Sequence, residues 1–146
     1  MIFLLGYAGS GKSYLARQLE RDNDARPFEG IAAADKRHLW DEMISHLRSG
    51  GTCTVEEWAF RTAECRDAVV DALERLVPGV RIKWICFERD IEAANWNVRM
   101  RADVGKEDVD GHLAINAEME RTYTIPAGAE LRKIIRIPER RGHNPA

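Results

Sequence analysis

Gly6, Gly9, Gly11, Lys12 and Ser13 stand at the spacing G-x-x-x-x-G-K-S, written out as Gly6-Tyr7-Ala8-Gly9-Ser10-Gly11-Lys12-Ser13. Residues of these types in this order suit one task, the holding of a triphosphate. Glycines let successive backbone N–H groups turn inward, and the positive end of a following helix adds to the pull on anionic oxygen. Lys12 is long enough to reach the β- and γ-phosphates, and the Ser13 hydroxyl is an oxygen ligand for Mg²⁺. Ala8, Ser10 and Tyr14 complete the stretch expected to bind ATP.

A second set of residues could act on an acceptor. Asp35 is expected just past a second strand, where a carboxylate can orient a hydroxyl and take its proton. Asp is also a good helix cap at such a place. Glu56 and Glu57 follow a third strand, as a base or as a ligand to a Mg²⁺-bound water, and Glu57 is preferred because it is nearer Trp58 and Phe60. Trp58, Phe60, Arg61 and Arg66 form an aromatic and basic cluster that could stack a base and hold a phosphate. Arg99 and Arg101 stand at a helix end beside a charged, glycine-containing stretch, which reads as a lid that neutralises transition-state charge. No apolar run followed by an acid reads as a full Walker B element. His38, His46, His112 and His143 show no metal spacing.

These residues need a scaffold, and the pattern supplies one. Met1-Ile2-Phe3-Leu4-Leu5 is an unbroken apolar run, as in a parallel strand buried on both faces. Leu15, Ala16 and Leu19 continue at helical spacing, with the helix expected from Lys12 to Arg21 and broken by Asp22-Asn23-Asp24 and Pro27. A weak second strand is expected over 28–33. Leu39, Trp40, Met43, Ile44 and Leu47 mark a second helix, ended by Gly50-Gly51. Thr52 to Val55 forms the third strand, and Thr62 caps a third helix. A fourth strand spans 80–87, followed by a helix capped by Asp90. The connector 99–110 precedes a helix over 109–123 with weaker periodicity, and a last strand is expected over 133–137. Strands alternating with helices give a three-layer α/β/α P-loop domain over 1–138, with a five-stranded parallel sheet, a small arginine-bearing lid and a frayed tail over 139–146. Ligands then bind at the carboxyl ends of the strands.

Composition sets outer limits. The chain has 146 residues, enough for one domain with its own core. A formal charge of −2 does not advertise nucleic acid, although a local basic groove would suffice. Cys53, Cys65 and Cys86 are an odd number without paired spacing, and no run is long enough to span a membrane. A reducing, cytoplasmic setting is expected.

The sequence resembles the small P-loop kinases related to polynucleotide kinase and to zeta-toxin-like kinases. The likeness rests on G-Y-A-G-S-G-K-S, on A-D-K-R-H-L after strand two, on E-E-W-A-F-R-T-A-E-C-R after strand three, and on E-R-D-I-E-A-A-N-W-N-V-R-M-R before the lid. It implies that Asp35 activates the acceptor and that Arg101, with Arg99, closes over the phosphates. The family's D-x-x-R places an arginine on the acceptor; here Arg37 comes one residue early and His38 holds that position. Glu56-Glu57 replaces the family's D-x-N-type element. Both departures fall on the acceptor side, and bacteriophage kinases of 5-hydroxymethyluracil in DNA fit them.

The leading expectation is therefore an ATP- and Mg²⁺-dependent kinase of a hydroxyl on nucleic acid, most specifically the hydroxymethyl of 5-hydroxymethyluracil, in DNA modification. Arg37, Trp58, Phe60 and Arg61 would then meet the substrate. The alternatives are a polynucleotide 5′-hydroxyl kinase, a kinase of a free nucleoside, nucleotide or small metabolite, and, last, a nucleotide-binding switch. The adenine site is placed only by position, at Ile137-Pro138-Glu139.

Overall fold

The computed structural model describes residues 1–102 and 108–139. Five strands, β1 (Ile2–Leu5), β2 (Ala25–Glu29), β3 (Thr52–Glu56), β4 (Lys83–Phe87) and β5 (Glu130–Arg132), make one sheet in the order β2-β3-β1-β4-β5. All four pairings are parallel. Between them run α1 (Lys12–Asn23), α2 (Arg37–Arg48), α3 (Ala63–Leu76), α4 (Ile91–Ala102) and α5 (Val109–Thr122). Phe3, Leu4 and Leu5 are all buried. Successive strand residues point to opposite faces, so both faces of the sheet are covered and the domain has three layers.

Two strands lie away from their expected places. β2 runs over Ala25–Glu29 and includes Pro27, the residue expected to reinforce a break. Proline cannot donate a ladder hydrogen bond, but β2 is an edge strand paired only with β3, and an edge tolerates it. β5 covers Glu130–Arg132 rather than 133–137. The later residues leave the sheet because α4 holds them: Trp96 Nε1 donates to Ile137 O at 2.8 Å, and Ile137 N donates to Asn97 Oδ1 at 2.7 Å.

Helix starts follow their expected chemistry. Cys65 N donates to Thr62 Oγ1 at the head of α3, and Ala93 N donates to Asp90 Oδ1 at the head of α4. Arg99 and Arg101 occupy the last turn of α4, and Asp108 caps α5. The rest of the expected lid, 103–107, and the tail over 140–146 lie outside the described residues.

The aromatic and basic cluster after β3 separates into parts. Phe60 is a core residue, edge-on to Phe3 at 5.3 Å, and Phe3 stacks on Trp84 at 4.2 Å. Arg66 is buried, and its guanidinium donates to Phe60 O, Arg61 O, Thr124 O and Thr124 Oγ1. It is a clip between the start of α3 and the end of α5, not a phosphate ligand. Cys53 on β3 and Cys86 on β4 are buried on either side of β1, and Cys65 on α3 is half-buried. No described helix is long and apolar enough to cross a membrane.

Candidate active site

The loop from Gly6 to Ser13 joins β1 to α1 at the carboxyl end of the sheet. Gly9 and Gly11 have φ of 83° and 107°, a left-handed conformation that side chains disfavour. Gly9 is also closed to a side chain by space, because a Cβ there would run into the Ala94 carbonyl of α4. Gly11 is the N-cap of α1 and no side chain caps the helix, so its first-turn N–H groups keep their capacity for an anion. Lys12 folds back over the loop, with Nζ donating to Gly6 O at 2.9 Å and Tyr7 O at 2.8 Å. Burial pushes its ammonium down to about 8, Arg101 adds to this, and Glu56 and Glu29 oppose it.

Strand register brings the carboxylates in. Leu4 pairs with Glu56 and Glu29 pairs with Glu56, so two acids stand side by side at the strand ends, next to the loop. Ser13 Oγ donates to Glu56 Oε2 at 3.1 Å. Burial holds the Glu56 carboxyl above its ordinary range, with Lys12 and the Ser13 hydrogen bond acting against that. The acid at the end of T-C-T-V-E therefore stands against the first turn of α1. Its neighbour Glu57 is used differently. Oε2 accepts from Ala32 N and Oε1 from Ala59 N, both at 3.0 Å, so this carboxylate braces two loops at the edge of the cleft.

These groups line a cleft of about 420 Å³. Gly6, Ala8, Gly9, Gly11, Lys12 and Ser13 line it from the glycine-rich loop and the head of α1. Ser10 is buried beneath the loop and Tyr14 points to solvent at 69% exposure, and neither lines the cleft. Ala8 lines it, but Ala8 N donates to Asn116 Oδ1 at 2.7 Å, so that amide is engaged. Trp58 and Arg61 also line it, with the guanidinium 3.4 Å above the indole centroid. Arg101 reaches the cleft and Arg99 does not.

The expected acceptor residues are scattered. Asp35 sits in an exposed 3-10 turn, Ala34–Lys36, and does not line the cleft. Arg37 lines a separate depression of about 380 Å³ with Trp40, Asp41 and Ile44. In their place the structure offers Glu29, Ile115 and Met119, and with them His112, weighed above only as a metal ligand. A second strand over 28–33 places Glu29 inside a strand, whereas β2 ends at it. His112, Ile115 and Met119 stand three and four residues apart on one helical face, a stripe whose polar member masks the period. The His112 Nδ1 atom is buried without a hydrogen-bond partner among the described residues.

No family model matches the chain, and no curated protein sequence matches it. Solved structures do. A gluconokinase from Sinorhizobium meliloti superposes with a TM-score of 0.63 at 17% identity, over 93% of this chain and 83% of that one. A sugar kinase from a Janibacter species gives 0.54 at 11% identity, over 90% and 82%. At these identities the likeness is one of fold: the five-stranded parallel sheet with its covering helices is the three-layer α/β arrangement of P-loop kinases.

Proposed function

We propose that this chain is an ATP-dependent phosphotransferase that moves the γ-phosphate to a hydroxyl of a small substrate. The observation that carries the reading is the meeting of Lys12, Ser13 and Glu56 beside Glu29 in one cleft at the sheet's carboxyl end. The loop amides, the head of α1 and Lys12 would hold the phosphates. Ser13 Oγ and the Glu56 carboxylate are hard oxygen donors, and such a set suits Mg²⁺. When bound, that ion supplies neutralisation of phosphate charge. Arg101 adds positive charge from the end of α4.

Glu29 is the carboxylate assigned to the acceptor's proton. It lines the cleft next to Glu56, and no hydrogen bond among the described residues occupies it, whereas Glu57 is held by two amides and Asp35 is outside the cleft. Transfer then breaks the bond between the γ-phosphorus and the β–γ bridging oxygen and forms one to the acceptor oxygen. The acceptor's proton passes to Glu29.

A small acceptor suits this cleft better than a nucleobase in DNA. Phosphates and acceptor share about 420 Å³, Phe60 is in the core, and Arg37 faces elsewhere. The activities named for the structural neighbours put hydroxylated carbohydrates first among acceptors to try. The test uses γ-labelled ATP and Mg²⁺ with a panel of sugars, sugar acids and nucleosides, beside DNA duplexes with and without 5-hydroxymethyluracil. Label on a small acceptor, lost in Lys12→Ala, supports the reading. Label on the modified duplex alone would replace the acceptor class, and label on nothing would remove the kinase reading.

A further inference from the structure

Two asparagines are buried where helices usually place apolar side chains. Asn116 on α5 is 0% exposed and Asn97 on α4 is 3% exposed. Buried amides persist when their hydrogen bonds are met, and both of these reach the glycine-rich loop. Asn116 accepts from Ala8 N at 2.7 Å and donates to Ala8 O at 3.0 Å, so it takes both backbone groups of one residue. It also donates to Asn95 Oδ1 at 2.8 Å, which fixes the amide's orientation from α4. Asn97 donates to Gly9 O and to Ile135 O, both at 2.9 Å. One turn beyond Asn116, Glu120 accepts from the Tyr7 hydroxyl. Three consecutive loop residues are thus held from behind by side chains of α4 and α5.

The same helix faces the cleft. His112, Ile115 and Met119 line it, and they lie within one arc of α5 together with Asn116 and Glu120. One edge of that arc grips the loop and the other walls the cleft.

We propose that Asn116 is a positioning residue: its amide holds Ala8 in the phosphate-competent conformation and makes α5 the rigid link between the phosphate cradle and the acceptor wall. The proposal rests on the nucleotide-binding reading above. A loop freed from this clamp samples conformations that cannot bind, and affinity falls with the competent fraction. Without Asn116, two half-buried backbone groups of the loop lose their protein partners, which lowers that fraction.

The experiment measures ADP affinity by calorimetry and melting temperature for the wild type and Asn116→Ala, with Lys12→Ala as the reference for lost phosphate contact. The expected result is an affinity loss of about tenfold in Asn116→Ala, given two half-buried backbone groups left without their partners, in a protein that still melts cooperatively. Equal affinity with a lowered melting temperature would reduce Asn116 to a structural residue and overturn the proposal. A second measurement needs no variant: hydrogen exchange of the wild type with and without ADP. Slowed exchange in both 6–13 and 109–122 supports the link, and slowing confined to 6–13 overturns it. If the wild type fails to bind ADP at all, the nucleotide reading falls and takes the proposal with it. That outcome differs from tight wild-type binding that the variant retains.

Discussion

Ser13 Oγ donates to Glu56 Oε2 across 3.1 Å, tying the first turn of α1 to the end of β3. The contact joins a hydroxyl and a carboxylate that a sequence separates by more than forty positions. Glu56→Gln keeps the shape and removes the charge. Turnover should fall about a hundredfold, and the Mg²⁺ concentration for half-maximal rate should rise. A magnesium titration of both proteins checks this, and an unchanged midpoint would detach Glu56 from the ion.

The acceptor base can be separated from its rivals by neutral substitutions. Glu29→Gln should lower turnover about a hundredfold or more while ATP affinity stays near wild type. Asp35→Asn should leave turnover unchanged, because that side chain is outside the cleft. Steady-state kinetics of the two variants decides the matter, and the reverse pattern would return the role to Asp35.

Lys12 gives the site a pH dependence. Its ammonium is held at about 8, chiefly by burial, so the free protein carries that charge fully only below this value. Bound phosphate favours the protonated form, and above pH 8 binding must therefore take up a proton. ADP affinity should weaken as pH rises through this range, by up to about tenfold per unit. Calorimetry between pH 7 and 9.5 should show the slope in the wild type and none in Lys12→Ala.

Arg66 should matter for stability and not for nucleotide affinity. Its buried guanidinium donates to the carbonyls of Phe60, Arg61 and Thr124 and to the Thr124 hydroxyl. Arg66→Met removes all four hydrogen bonds at a cost of about 3 kcal/mol. The melting temperature should fall by roughly 10 °C for a domain of this size, while the folded variant binds ADP as before.

The scaffold was legible where local chemistry decides structure. The apolar run before Gly6, the glycine spacing, the caps at Thr62 and Asp90 and the turn at Gly50-Gly51 each fix a boundary from nearby atoms. β2 and β5 were misplaced because their limits depend on neighbours: Pro27 is acceptable only because β2 is an edge, and 133–137 is drawn off by Trp96 and Asn97. The site divides the same way. The phosphate loop is one contiguous stretch, whereas Glu29 and Glu56 become neighbours only through β2–β3 register. The weak period of α5 has a physical source as well: part of its buried face is Asn116, whose burial is offset by hydrogen bonds to Ala8.

The two thiols flanking β1 give the molecule its own gauge of opening. Cys53 is fully buried, with burial pushing its thiol up to about 11, and Cys86 is likewise buried and raised. Cys65 is partly accessible. An alkylating reagent should therefore label Cys65 first and reach the other two only when strands part from the central one. Their labelling rates would time the rupture of the sheet on its two sides separately, without a dye, a tag or a substitution. Comparing those clocks with ADP present and absent would show how far the grip on phosphate is transmitted into the middle of the domain.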